Sequence, residues 1–293
     1  MIVLDGNKLS KEIKDEVKQE VQAFVNQGKR QPHLAAILVG ENGASMTYVN
    51  SKIKDCEEVG FISSLIKLPE TISEIELLKE IEKLNQQKDL DGFIVQLPLP
   101  KHIDEEKILL AVNPAKDVDG FHPMNFGKMA LDMETFIPAT PFGIVTMIDR
   151  YNIPTAGKNV VVIGRSNIVG RPISILMSKK GKTGDATVTV VHSKTKNLEE
   201  FTKQADIIIT ALGVPNFLKA HMIKEGATII DVGITRVNDN SKKGFRLLGD
   251  VDFDEVKTKA AFITPVPGGV GPMTRAMLLK NTMLGYKNNS YIR

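Results

Sequence analysis

Tyr48 and Lys52 stand four positions apart in a stretch that reads as helix. That spacing places both side chains on one face. Val49, Ile53 and Cys56 form the apolar stripe beside them, so the pair lies at the border of a core. A lysine at such a border can be partly desolvated, which lowers its pKa. Taken in isolation, Lys52 among Lys54 and Glu57 also fits an ordinary solvated position. Gln96-Leu97-Pro98-Leu99-Pro100 closes an apolar run that starts at Gly92 and reads as a parallel strand. Ligands of open α/β sheets bind beyond the carboxyl ends of strands, so Gln96 is placed to touch a ligand or Lys52. Asp117-Val118-Asp119-Gly120 lies in a segment rich in Asp, Gly and Pro, where an ordinary turn with Asx hydrogen bonds is the competing reading.

A second constellation begins at the buried run Lys158–Gly164, which passes into Arg165-Ser166-Asn167-Ile168-Val169-Gly170 before Arg171-Pro172 opens a helix. Strand, glycine, short loop, glycine, helix is the geometry of a pyrophosphate site. Bare glycines let backbone N–H groups approach phosphates, and a helix N-terminus carries partial positive charge. The Gly164–Gly170 spacing is not the usual dinucleotide fingerprint, and a tight βα turn without ligand has the same outline. The next strand, Thr187–Val191, ends in His192-Ser193-Lys194-Thr195-Lys196, where an NAD site would carry an acidic residue for the ribose diol. Hydroxyls and two cations stand there instead, and Arg165 can reach the same place. A ribose 2′-phosphate suits them, which favours NADP over NAD; a solvated turn with scattered lysines is the plainer alternative. A last cluster, Pro265-Val266-Pro267-Gly268-Gly269-Val270-Gly271-Pro272, follows a strand and precedes a helix. So many restricted and permissive residues together suit a loop lining a ligand cleft better than a plain connector.

Holding these residues requires alternating elements. Leu9, Ile13, Val17, Val21 and Phe24 make one helical stripe, followed by a buried strand at 35–39 and the helix 44–59 that carries Tyr48 and Lys52. A strand at 61–68, a helix at 73–87 with a Ser73/Glu76 capping box, and the strand ending near Leu97 complete a βαβαβ order. Ile75, Leu78, Ile81 and Leu84 are expected on that helix's inner face. The order implies a parallel sheet covered on both faces. The Asp/Gly/Pro-rich stretch 113–125 and the prolines at 138 and 141 mark a change of lobe, with a bridging helix from about Pro141 to Tyr151. Strands at 159–163, 187–191, 207–210, 228–232 and 262–264 form a fresh α/β unit, and the chain turns helical again after Met273. The fold class expected is α/β in two lobes: an N-terminal three-layer αβα lobe and a Rossmann-like NADP-binding domain, with a C-terminal helix returning to the first. The boundaries expected are 1–137 with about 273–293, and 138–272.

The chain has 293 residues, 42% of them apolar and 25% charged, enough for two buried cores. A net charge of +3 is too mild to argue for nucleic acid and suits small anionic ligands. The single cysteine excludes a disulfide framework and fits a reducing compartment. No apolar run reaches membrane-helix length, and Met1–Gly6 lacks the features of a signal peptide, so a cytoplasmic location is expected. The five histidines show no metal-ligand spacing, and no protein-bound metal is expected.

Taken together, Tyr48-Val-Asn-Ser-Lys52, Val95-Gln96-Leu97-Pro98-Leu99-Pro100, Asp117-Val-Asp119-Gly120, Gly164-Arg-Ser-Asn-Ile-Val-Gly-Arg-Pro172, His192-Ser193-Lys194-Thr195 and Pro267-Gly-Gly-Val-Gly-Pro-Met-Thr274 resemble the bifunctional methylenetetrahydrofolate dehydrogenase/methenyltetrahydrofolate cyclohydrolases, in the same order. The resemblance spans about Asp5 to Leu284; alanine stands at 139, where the family often has cysteine. It implies oxidation of 5,10-methylenetetrahydrofolate by NADP⁺, then hydration and ring opening of the cationic methenyl product to 10-formyltetrahydrofolate. It implies that Lys52 is the general acid/base, held in register by Gln96. Tyr48 would stack on the folate, and Asp119 would accept hydrogen bonds from the amino-pyrimidine edge. Leu97, Pro98, Pro267, Gly268 and Gly271 would border the substrate. The Gly164–Gly170 turn, with Arg165, Ser166, Ile168 and Ser193, would hold the cofactor, and the Ile234 backbone would meet its nicotinamide region. A homodimer is expected on the same ground. A monofunctional dehydrogenase, another NADP enzyme such as a shikimate-type dehydrogenase, and a non-catalytic NADP-binding protein are the competing readings.

Overall fold

A computed structural model describes residues 1–239 and 244–291. In chain order its elements are β1 (Ile2–Val3), α1 (Gly6–Asn26), β2 (His33–Val39), α2 (Gly43–Val59), β3 (Ile62–Leu68), α3 (Glu74–Gln86), β4 (Gly92–Val95), α4 (Glu105–Ala111) and α5 (Pro123–Ala130). There follow α6 (Ala139–Arg150), β5 (Asn159–Ile163), α7 (Gly170–Ser178), β6 (Thr187–Val191), α8 (Leu198–Thr202), β7 (Ile207–Thr210), β8 (Thr228–Asp231), β9 (Thr235–Asn238), β10 (Phe245–Leu248), α9 (Phe253–Val256), β11 (Phe262–Ile263) and α10 (Val270–Tyr291). The chain divides into two compact units. One holds Lys11–Ala139 and the chain from Arg275. The other holds Met1–Ser10 and Thr140–Thr274.

In the unit around Lys11–Ala139, three strands pair in parallel in the order β3-β2-β4. Central β2 is buried along its whole length, as a strand covered on both faces must be. Its side chains alternate between two cores. Leu34, Ala36 and Leu38 join Val17, Val21, Val49, Cys56 and Ile94, while Ala35, Ile37 and Val39 join Leu77, Ile81, Phe93 and Ile108. Leu278, Leu279 and Met283 of α10 complete the first of these, so the C-terminal helix is built into this unit. Asn281 pins it by donating to the carbonyls of Val118 and Ile137, both at 2.8 Å. Ser73 caps α3 in the reciprocal arrangement expected. The inward face of α3 is Leu77, Ile81 and Leu84, however, and Ile75 points to solvent at 66% exposure. It lies two residues before Leu77, about 200° around the helix, which places it opposite the core.

The other unit carries a six-stranded sheet in the order β1-β11-β8-β7-β5-β6, with every pairing parallel. The first ten residues, read with the N-terminal lobe from the sequence, group here because β1 pairs with β11 (Ile2 with Phe262, Val3 with Ile263). The chain runs from β5 outward to β6 and then returns to β7 on the other flank of β5. That reversal creates the crevice in which such sheets bind ligands. An antiparallel hairpin of β9 and β10 was not expected from the sequence; neither strand has a fully buried face. Helix α5 was also not expected; it begins at the end of the 113–125 stretch read as a break and continues to Ala130. It starts on His122, whose ring accepts from Met124 N, with Pro123 at its first turn.

Candidate functional site

Helix α2 presents Tyr48 and Lys52 on one face, and the structure settles the ambiguity about the lysine: it is 7% exposed. Its Nζ donates to Gln96 Oε1 at 3.4 Å and stands 4.7 Å from the centre of the Tyr48 ring. Gln96 is held from two directions. Its N–H donates to Ile37 O at 2.9 Å, extending the β4–β2 ladder by one residue. Its Nε2 donates to Leu97 O at 2.8 Å, which turns Oε1 toward the lysine. Leu97 and Pro98 follow across a cis peptide bond.

Asp119 enters the same surroundings from the turn after α4. Burial lowers the Lys52 pKa and raises that of Asp119, and the opposite charge of each holds back the shift of the other. Burial also raises the Tyr48 hydroxyl, with Asp119 adding to the effect. The Cys56 thiol, one helical turn beyond Lys52, is pushed up to about 12 by burial, so it stays protonated and is no nucleophile. The turn that presents Asp119 is rigid. Asp117 is buried and accepts from Phe121 N (3.2 Å), His122 N (2.8 Å) and Asn125 Nδ2 (2.9 Å), while desolvation pushes its own carboxyl up to about 6. Gly120 has φ +73, and a Cβ there would stand 2.7 Å from Pro138 N and 2.9 Å from Phe136 O. Gly92 is bare because Val118 fills the space a side chain would need.

Sequence reasoning singled out neither Asp55 nor Arg275. Buried Asp55, three positions after Lys52 on α2, faces Lys14 Nζ at 3.1 Å and Arg275 NH1 at 3.3 Å. Arg275 opposes the upward shift of the Tyr48 hydroxyl, so this ion cluster belongs to the electrostatics of the site. The position of Asp55 on the helix was a usable signal. Lys14 and Arg275 meet it only through the fold.

In the second unit, Gly164 follows β5 with φ +125, and its N–H donates to Val191 O at 2.9 Å. A Cβ at 164 would overlap Ala211 O, and one at Gly170 would overlap Gly164 O. Both glycines therefore permit backbone to close on backbone. Ser166 Oγ accepts from Val169 N (3.1 Å) and Gly170 N (3.4 Å), leaving its hydroxyl proton free to donate. Arg165, Ser166 and Ile168 are exposed along the turn. After β6, Thr195 Oγ1 accepts from His192 N and His192 Nδ1 accepts from Lys194 N, so the tight turn displays Ser193 outward. No carboxylate occurs between His192 and Asn197. Ile234 is 55% exposed just past β8. Pro267 follows a cis peptide bond, Gly268 has φ +102, and Gly268 O accepts from Gly6 N (2.8 Å) and Asn7 N (3.2 Å). Gly271 lies in the first turn of α10, within van der Waals reach of Ile234 were it to bear a side chain.

Among the described residues no three of His, Cys, Asp and Glu are grouped to hold a metal ion, and no helix is long and apolar enough to cross a membrane. Residues 4–119 match the tetrahydrofolate dehydrogenase/cyclohydrolase catalytic domain, and residues 138–290 match the NAD(P)-binding domain of the same family. The chain is 67% identical to the bifunctional protein FolD of Flavobacterium johnsoniae over 99% of both chains. Its fold matches the bifunctional methylenetetrahydrofolate dehydrogenase/cyclohydrolase of Campylobacter jejuni with a TM-score of 0.92 at 49% identity, covering 98% of this chain and 99% of that one. The Trypanosoma brucei methylenetetrahydrofolate dehydrogenase-cyclohydrolase, solved with NADP cofactor and inhibitor, matches with a TM-score of 0.94 at 38% identity, covering 99% and 98%.

Proposed function

The chain belongs to the tetrahydrofolate dehydrogenase/cyclohydrolase family, and from that premise we propose how its residues divide the two reactions. It oxidises 5,10-methylenetetrahydrofolate with NADP⁺ and hydrolyses the 5,10-methenyl product to 10-formyltetrahydrofolate. The observation that carries the assignment is the buried Lys52 amine, directed at Gln96 and facing the Tyr48 ring.

A buried lysine whose pKa has fallen holds a useful fraction of free amine, which can accept a proton from water. We assign Lys52 that role. As water adds to the cationic methenyl carbon, Nζ takes the proton. It then returns a proton to the ring nitrogen as the carbon–nitrogen bond breaks and the carbinol oxygen becomes the formyl C=O, losing its own proton to solvent; the lysine ends as it began and one proton is released overall. Binding of a cation beside it disfavours the ammonium further. Gln96 keeps Nζ on line through its hydrogen bond. The Tyr48 ring offers its face to the pterin, and Asp119 accepts from the paired donors of the amino-pyrimidine edge. Those donors would keep Asp119 ionised when Lys52 loses its charge. Leu97, Pro98, Pro267, Gly268 and Gly271 are assigned to bordering the substrate.

The second unit fits the cofactor on three grounds. The glycines at 164 and 170 let the turn close tightly, so that the N-terminus of α7 follows β5 at short range, Ser166 keeps a proton to donate, and the turn after β6 offers Ser193 and Lys194 without a repelling carboxylate. Arg165, Ser166 and Ser193 are assigned to its phosphates, Ile168 to the turn's outer wall and the Ile234 backbone to the nicotinamide region. NADP⁺, when bound, supplies the hydride acceptor. One-carbon derivatives of tetrahydrofolate are the substrates. We further propose a cytoplasmic homodimer: the one cysteine suits a reducing compartment, and edge strand β6, with Val190 37% exposed, leaves backbone open to a second copy. Sedimentation equilibrium tests the dimer. For the chemistry, a spectrophotometric assay would follow NADPH and methenyltetrahydrofolate together. NADPH formation with methenyltetrahydrofolate consumed is expected, and NADPH formation with methenyltetrahydrofolate accumulating unconsumed would favour a dehydrogenase alone.

A further inference from the structure

Two buried carboxylates of the second unit, Asp231 at the end of β8 and Asp250 after β10, take no part in the chemistry above. Asp250 accepts from three consecutive backbone amides: Leu212 N at 2.6 Å and Gly213 N at 3.1 Å on Oδ2, and Val214 N at 2.8 Å on Oδ1. Asp231 Oδ1 accepts from Gly233 N (2.9 Å), Asp250 N (3.0 Å) and Thr210 Oγ1 (3.1 Å), and its Oδ2 accepts from Val251 N (2.9 Å). The packing is reciprocal. A Cβ on Gly233 would run into the Asp250 carboxylate, and one on Gly249 would run into that of Asp231.

These bonds tie down two strand exits. Residues 211–214 leave β7, and Ala211 O is the atom against which Gly164 closes. Residues 232–234 leave β8. Converging amides of this kind form a nest for an anion, and here the anion is a side chain of the protein itself. The loop is therefore ordered before any ligand arrives, and ordering costs that would otherwise weaken binding are avoided. In a doubly wound sheet a dinucleotide spans the strand ends, one half on each side of the switch point. Arg165 and Ser193 follow β5 and β6, which leaves the exits of β7 and β8 for the other half.

We propose that Asp250, braced by Asp231, is a positioning residue for hydride transfer: Asp250 holds the Leu212–Val214 loop, and Asp231 the Gly233–Ile234 exit, against the nicotinamide half of NADP⁺. The inference rests on the cofactor reading above, so its test separates the two halves of the ligand. Asp250→Asn keeps the shape but turns an acceptor into a donor toward amides that also donate. Hydride transfer should lose about tenfold or more in kcat, as misplacing a reacting group does. Affinity for adenosine 2′,5′-bisphosphate, a probe of the adenosine half, should change by less than about twofold. Amide hydrogen exchange on the unliganded wild type should already be slow at Leu212–Val214. If Asp250→Asn does not fold, Gly233→Ala displaces the same carboxylate without removing its charge and should give the same split. Equal loss of both halves, no loss in either, or fast exchange that slows only with NADP⁺ would each overturn the inference. A wild type that fails to bind adenosine 2′,5′-bisphosphate would overturn the NADP reading and this inference with it.

Discussion

Replacing Gly164 by alanine adds one methyl group where the structure has no room for it. The new Cβ would overlap Ala211 O and stand 3.2 Å from the Ala211 carbonyl carbon. Carbon–oxygen contacts settle at about 3.3–3.6 Å, so clearing the overlap with Ala211 O makes the exit of β7 retreat by roughly 1 Å. At φ +125, residue 164 is also in a region that L side chains rarely adopt, which adds about 1–3 kcal/mol of strain. Both effects fall on the backbone assigned to the cofactor phosphates, and neither touches Lys52, Gln96 or Asp119. A displacement approaching 1 Å at a binding backbone costs about 10²-fold. The KM for NADP⁺ is therefore expected to rise about 10²-fold, while hydrolysis of supplied methenyltetrahydrofolate stays within about twofold of wild type. Initial-rate measurements of each reaction on the same preparation check this. An unchanged KM for NADP⁺ in the folded variant would refute the assignment of the turn. A parallel fall in both reactions would show that the turn supports folding and not the cofactor.

Other expected outcomes concern protons. The rate of hydrolysis should rise with pH as Lys52 loses its proton, with a midpoint below the ordinary lysine range because burial lowers its pKa. Asp119→Asn should move that midpoint lower still, since the carboxylate favours the ammonium; a wild-type midpoint at the ordinary lysine value would contradict the first expectation, and an unchanged midpoint in the variant the second. Asp117 has its folded pKa raised from 3.8 to about 6, so the folded state binds its proton more tightly than the unfolded chain does. Its contribution is present below pH 3.8 and lost as pH rises through about 6, a change of roughly 3 kcal/mol. Urea unfolding between these pH values should show that slope in wild type and a flatter one in Asp117→Asn.

What could be read from the sequence was whatever repeats locally. The βαβαβ order, the helix bearing Tyr48 and Lys52 and the strand before Gly164 each follow from a short-range apolar period. Gln96 was placed by the strand it ends and Lys52 by the stripe beside it, but only the fold shows Nζ and Oε1 meeting. What escaped depends on partners far along the chain. A two-residue strand such as β1 has no period, and it exists because β11, some 260 residues later, offers an edge. Ile75 was misplaced because a helix of mixed composition permits two apolar stripes and only packing chooses between them. The Lys14–Asp55–Arg275 cluster and the Asp231–Asp250 brace escaped for the same reason: each is an ordinary charged residue until remote backbone or side chains surround it.

The central claim is that the buried Lys52 amine carries the hydrolytic step. Lys52→Met keeps an unbranched side chain of similar volume and removes the amine, so the fold is expected to persist. The direct measurement is the loss of methenyltetrahydrofolate absorbance with wild type and with this variant at one pH. A rate lower by about 10²–10⁴-fold is the predicted result for removal of a general acid/base. A variant that hydrolyses methenyltetrahydrofolate as fast as wild type would contradict the account.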